Sequence, residues 1–240
     1  VGTLNVSGTE SGATVQYSSD NSTWCSSAPA LTQGSNTVYV RQTDVAGNIS
    51  SATAFTFTYD TQAAAPTVAL LTDSGTSSTD KITNVGTLNV TGTESGALVE
   101  YSANGSSGWS TTAPSLTQGS NTVYVRQTDV AGNISSATAF TFTYDTAAAA
   151  PTVALLTDSG SSSTDKITNV GTLNVTGTES GALIEYSATG TSGWSSTAPS
   201  LTQGSNTVYV RQTDTAGNVS SATAFTFTYD SQAEIGRAHV

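Results

Sequence analysis

The sequence predicts an all-β protein built of tandem β-sandwich domains of about 80 residues each. Three observations lead there. Val-Gly-Thr-Leu-Asn-Val starts at Val1, Val85 and Val170, and Arg-Gln-Thr-Asp starts at Arg41, Arg126 and Arg211, 85 residues apart. Val, Thr, Tyr and Phe alternate with polar residues over short runs, with Gly, Asn and Asp between them. Met is absent, and the helix formers Lys and Glu are scarce.

The middle copy shows each element in order. Thr-Val-Ala-Leu-Leu at 67–71 reads as a first strand. Residues 87–93 alternate, with Leu88 and Val90 on one face and Asn89 and Thr91 on the other. Residues 98–102 follow the Glu94-Ser95-Gly96 turn. Over 122–128, Val123 and Val125 face inward while Tyr124 and Arg126 face outward. Over 139–144, Phe140, Phe142 and Tyr144 face the core, and Thr141 and Thr143 face solvent. Trp109 is expected to plug the core or cover one edge of it. About seven strands per domain on an up-and-down path would put Glu100 beside Arg126, repeated as Glu185 with Arg211, whereas Gln16 faces Arg41 in the first copy.

The repeat phase sets the domains. Ala-rich stretches before Pro66 and Pro151 read as linkers at 61–65 and 146–150, leaving domains at 66–145 and 151–230. Residues 1–60 read as a domain without its first strand. The first interval is one residue shorter because the loop before Trp24 lacks a residue present before Trp109 and Trp194, which marks a surface loop. The tail at 231–240 breaks the pattern, and 234–240 resembles a translated sequencing adapter. His239, the single histidine, therefore carries no functional argument.

Composition narrows the function. Seventeen acidic residues against six Lys+Arg give a net charge of -11, which disfavours nucleic acid and anionic membrane surfaces as partners. No apolar run approaches the ~20 residues of a membrane span. Cys25 stands alone where the other copies carry Ser110 and Ser195, so it reads as a drifted serine without a disulfide partner.

Three acidic phrases carry the remaining chemistry. Asp73 and Asp80 bracket the loop after the first strand, repeated as Asp158 and Asp165. Asp129 and Asn133 bracket the last hairpin turn, repeated as Asp214 and Asn218. An Asp ends each final strand, at Asp60, Asp145 and Asp230. On the expected topology, stacked domains bring Asp73, Asp80 and Asp145 against Glu179, Asp214 and Asn218. Glu94 holds the position of Glu179 one repeat earlier. Calcium takes six to eight hard oxygens of this kind, and without a cation the carboxylates would repel one another. Each phrase also has an ordinary reading as turn chemistry, because Asp accepts from nearby backbone N–H groups and Gly or Asn tolerates positive φ.

Asp-Val-Ala-Gly-Asn-Ile-Ser at 129–135, with Asp-Ser-Gly-x4-Thr-Asp-Lys-Ile-Thr-Asn at 73–84, resembles the bacterial immunoglobulin-like repeats of giant secreted, RTX-type or biofilm-associated adhesins. The resemblance covers all but the tail. It implies an extracellular, cell-surface location, neighbouring repeats of the same polypeptide as partners, and calcium at domain boundaries held by Asp73, Asp80, Asp145 and their copies. Many such repeats carry Gly where Lys81 and Lys166 stand, so these lysines are expected to neutralise part of the site.

An enzyme is not expected. No dependable His, no thiol paired with a base and no phosphate-cradling loop occurs. Gly-Thr-Glu-Ser-Gly at 92–96 and 177–181 lacks the helix and histidine that a nucleophile elbow needs. A second reading makes the repeats themselves carbohydrate- or protein-binding modules, which Trp and Tyr clustered at the domain ends would favour. The sequence names no adhesive target.

Overall fold

The computed structural model describes residues 3–233, so the adapter-like tail with His239 lies outside the described residues. They form two compact units. One comprises the chain up to Ala64 with Glu94–Leu98 and Gln127–Ser136; the other comprises Ala65–Thr93, Val99–Arg126 and the chain from Ala137.

Repeat 1 contributes β1 (Thr14–Ser18), β2 (Gly34–Thr43) and β3 (Thr53–Tyr59) to one antiparallel sheet in the order β1-β2-β3. Repeat 2 contributes β4 (Thr67–Leu70), β5 (Ile82–Thr83), β6 (Leu88–Thr91), β7 (Leu98–Ser102), β8 (Gly119–Thr128) and β9 (Thr138–Tyr144). Its strands form a pair β4-β6 and a sheet β5-β9-β8-β7. Repeat 3 copies this with β10 (Thr152–Leu155), β11 (Ile167–Thr168), β12 (Leu173–Thr176), β13 (Leu183–Ser187), β14 (Gly204–Thr213) and β15 (Thr223–Tyr229). These are the stacked sheets of a sandwich.

The alternation builds the core. Along β8, Val123 and Val125 are buried while Tyr124 and Arg126 are half-buried on the opposite face. Val68 of β4 closes over Val123, Val125, Phe140 and Phe142, with Leu88 and Val90 packed alongside. The Phe140 and Phe142 rings lie 5.7 Å apart, tilted by 31°, within the favourable range for aromatic pairs. Val153, Val208, Val210 and Phe227 repeat the arrangement.

Two expectations are corrected. Trp109 is not part of the core: its ring covers the outward-facing Arg126 guanidinium at 4.1 Å, and Trp24 and Trp194 cover Arg41 and Arg211 at the same distance. The path is also not simply up-and-down, because β5 and β11 run parallel to β9 and β15. Thr83, fully buried, fixes β5 by donating to Thr72 O and accepting from the Val85 amide. The Glu100–Arg126 and Glu185–Arg211 ion pairs form as expected, each at 3.0 Å, and Arg41 donates instead to Gln16. Cys25 is exposed, and its backbone bridges to Tyr17 as Ser110 bridges to Tyr101.

Candidate cation site at the repeat junctions

The final strand of each repeat ends on an Asp, and the next repeat presents two carboxylates on its turns. Glu94 opens the tight turn into β7; its Oε1 accepts from the Ala64 amide at 2.8 Å, and Glu179 accepts likewise from Ala149 at 2.9 Å. These bonds tie the linker backbone to the following repeat. Asp129 begins the last hairpin turn, where its carboxylate accepts from the Asn133 amide and side chain at 2.8 and 2.7 Å. Asp214 accepts from Asn218 in the same way, at 2.8 Å for each bond. The free faces of the asparagine amides reach back across the junction: Asn133 donates to Asp60 O at 3.1 Å and Asn218 to Asp145 O at 2.8 Å.

This geometry gathers one ligand atom each from Asp60, Glu94 and Asp129 within 4.8 Å of one another, and does the same with Asp145, Glu179 and Asp214. Each group lies inside one compact unit. Asp129 is 7% exposed and Asp214 1%. Burial pushes the Asp129 carboxyl up, but the Asn133 side chain and the amides of Asn133, Ala131 and Gly132 outweigh it, so the group sits below the ordinary aspartate range. It is held charged. No Lys or Arg pairs with any of the six among the described residues.

Glutamines support both groups. Gln127 and Gln212 are fully buried at inward positions of β8 and β14. The oxygen of each accepts from the Glu94 or Glu179 amide at 2.8 Å, and the nitrogen donates to Ala64 or Ala149 O at 2.6 Å. Their signal was a polar residue continuing the inward phase of Val123 and Val125.

The first-loop aspartates take a different position. Asp73 Oδ2 accepts from the Lys81 amide at 2.9 Å and Asp80 Oδ1 from the Ile82 amide at 3.0 Å, turns that aim β5 alongside β9. Asp158 and Asp165 repeat them. Neither Asp73 nor Asp80 joins the three-carboxylate groups. Asp73 Oδ1 and Asp158 Oδ1 are nonetheless buried without a hydrogen-bond partner among the described residues, a costly state for a carboxylate oxygen. Among the described residues Lys81 and Lys166 form no ion pair. Their ammonium groups lie over the Phe140 and Phe225 rings at 5.3 and 5.2 Å. Asp230 accepts from the Gln203 side chain and the Gln232 amide.

The first loop still reaches the next repeat. Ser74 donates to Ala216 O at 2.9 Å, the Thr76 amide to Thr215 O at 3.1 Å, and Asn84 to Asn218 Oδ1 at 3.1 Å. A donor set of oxygens alone, without His or Cys, fits a hard cation of the calcium type and not zinc.

The bacterial Ig-like domain family model matches residues 2–61, 62–146 and 147–231. The chain belongs to the bacterial Ig-like domain family. No curated protein matches it. Bacterial Ig-like domains are commonly parts of surface or extracellular proteins, serve there as structural repeats, and are typically non-catalytic. Among the described residues, no helix is long and apolar enough to cross a membrane.

Proposed function

We propose that these bacterial Ig-like repeats are a non-catalytic, extracellular spacer of a large adhesin, and that Ca²⁺ at each junction stiffens the joint between neighbours. The observation that carries this reading is the recurrence of the same three-carboxylate group, Asp60 with Glu94 and Asp129, then Asp145 with Glu179 and Asp214. One carboxylate comes from the preceding repeat and two from the following one, so a cation held there ties two repeats together. Bound Ca²⁺ would supply the positive charge that offsets three clustered carboxylates. The protein's own contribution is to orient them: Asn133 and Asn218 fix the aspartates, and the linker amides fix the glutamates. Asp73, with one unpartnered buried oxygen in the loop that reaches Ala216, remains a candidate ligand, and Asp158 is its equivalent in repeat 3.

Melting the chain by calorimetry in millimolar CaCl₂ and in chelator tests this. A ligand at about 100 times its Kd stabilises by about 2.7 kcal/mol, which should appear as a rise of several degrees reversed by EDTA. Coincident melting curves would overturn the calcium assignment.

A further inference from the structure

The turn that precedes each tryptophan is one cradle built around three different residues. Asp20, Asn104 and Thr189 each stand two residues after a buried serine, Ser18, Ser102 or Ser187. In repeat 1, Asp20 Oδ1 accepts from the Ser22 and Thr23 amides at 2.8 Å each. In repeat 2, Asn104 Oδ1 accepts from the Ser106 and Ser107 amides at 2.9 Å each and from the Ser106 hydroxyl at 3.2 Å. Its Nδ2 donates to Ser107 Oγ at 3.0 Å. A side-chain carbonyl gripped by three fixed donors is polarised as an acyl group is in an oxyanion hole.

The nucleophile that can use this polarisation is the next backbone nitrogen. Asn104 is followed by Gly105, and no other asparagine in the sequence is followed by glycine. Gly105 has a φ of +73°, and a Cβ there would stand 2.6 Å from the Tyr124 ring, so the fold itself demands glycine. Glycine leaves its own nitrogen unshielded, whereas Asn48, Asn133 and Asn218 precede Ile or Val, whose branched side chains crowd it. The Gly105 amide donates to Ser102 Oγ at 3.1 Å, and the Asn104 side chain is exposed to solvent.

We infer that Asn104 is a self-modification site, where the Gly105 nitrogen closes on the Asn104 side-chain carbonyl and the residue becomes aspartate. As the nitrogen bonds to Cγ, the carbonyl electron pair moves onto Oδ1, where the Ser106 and Ser107 donors receive it. The Gly105 proton passes to solvent base. The Cγ–Nδ2 bond breaks, and Nδ2 takes a proton from water and leaves as ammonia, so a five-membered imide remains. Water then adds to Cγ, the carbonyl carbon the cradle polarises, and the bond from Cγ to the Gly105 nitrogen opens to aspartate with the main chain intact. One water is consumed and one ammonia released. Repeat 1 shows that the product fits. Asp20 fills the same cradle, where the Thr23 and Ser22 amides and then the Ser18 hydroxyl hold its carboxyl well below the usual range. The new carboxylate makes the two amide bonds charge-assisted. The site stands apart from the junction carboxylates and from the calcium reading.

The test incubates the full chain in mildly alkaline buffer beside a sample unfolded in guanidinium chloride, and follows position 104 by peptide mapping that separates asparagine, aspartate and isoaspartate. The Asn104→Asp variant supplies the product standard. Conversion is expected severalfold faster in the folded chain, chiefly to aspartate, with one negative charge added to the -11 of the sequence on isoelectric focusing. Ser106→Ala removes one donor to Oδ1. It should slow the folded chain severalfold and leave the unfolded chain unchanged, with an unaltered melting temperature showing that the repeat still folds. A folded chain that converts no faster than the unfolded one would mean that the cradle protects Asn104, and would overturn the inference. Isoaspartate as the main product of the folded chain, or a Ser106→Ala variant that converts at the original rate, would overturn it as well.

Discussion

Arg126 is held between two unlike partners. Its guanidinium donates to Glu100 at 3.0 Å and lies 4.1 Å from the centre of the Trp109 ring. The ion pair is partly solvated, so it contributes about 0–1 kcal/mol, and the ring contact about 0.5–2 kcal/mol. Trp109→Ala should therefore cost about 1–2 kcal/mol in denaturant unfolding, more than Glu100→Gln in the same background. The pairing was legible in the sequence because strand alternation fixes which side chains face outward. The tryptophan contact was not, because loop length sets where Trp109 lands and no periodicity encodes it. The turn before each tryptophan shows how chemistry drifts without changing the fold. Asp20 caps the amides of Ser22 and Thr23, Asn104 those of Ser106 and Ser107, and Thr189 those of Thr191 and Ser192. Only Asp20 titrates among the three. The amides of Thr23 and Ser22, then the Ser18 hydroxyl, hold its carboxyl well below the usual range. Asp44 is lowered by the Asn48 side chain first and its amide second, and Asp129 is also lowered on balance. Groups depressed in the folded state stabilise it above their unfolded pKa and lose that contribution as pH falls through the folded value. Stability should therefore hold above pH about 4 and decline below it. In the acid range Asp20→Asn should flatten the dependence, read as melting temperature against pH.

At the scale of elements, the long strands were legible and the two-residue strand was not. β8 and β9 carry enough alternation to declare an inward face, whereas β5 is defined by hydrogen bonds: the Thr143 amide donates to Lys81 O and the Asp145 amide to Thr83 O. Those bonds depend on Asp73 and Asp80 folding the loop back, a use of the acidic phrase that spacing alone does not distinguish from ligation. Gly75 offers a direct check on the loop's reach. Its φ is +99°, and a Cβ there would stand 2.0 Å from Thr215 O. Gly160 has φ +114° but its nearest neighbour would be 3.8 Å away. Gly75→Ala should cost about 1–3 kcal/mol and expose the Thr76 amide to exchange, while Gly160→Ala should show the smaller cost of backbone strain alone. Equal effects would mean that the loop does not bear on the next repeat.

At the scale of the whole molecule, sequence periodicity revealed the repeats, and topology told which acidic groups meet. The sequence reading placed Asp145 with Glu179 and Asp214, and the structure brings those three together. It also expected Asp73 and Asp80 to meet them; their loop reaches the next repeat through Ser74 and Thr76, while neither carboxylate is part of the three-carboxylate group. The surface is strongly acidic, with a net charge of -11, so calcium attracted non-specifically must be separated from calcium held at the junctions. The most direct measurement is isothermal calorimetry of Ca²⁺ on the full chain beside an Asp145→Asn, Asp214→Asn double variant, with the melting of both checked in chelator. Saturation is expected near one ion per three-carboxylate group, hence about two per chain, falling to about one in the variant. Absence of saturable binding at millimolar calcium, or an unchanged stoichiometry in the variant, would return these aspartates to turn chemistry and leave a spacer without a metal.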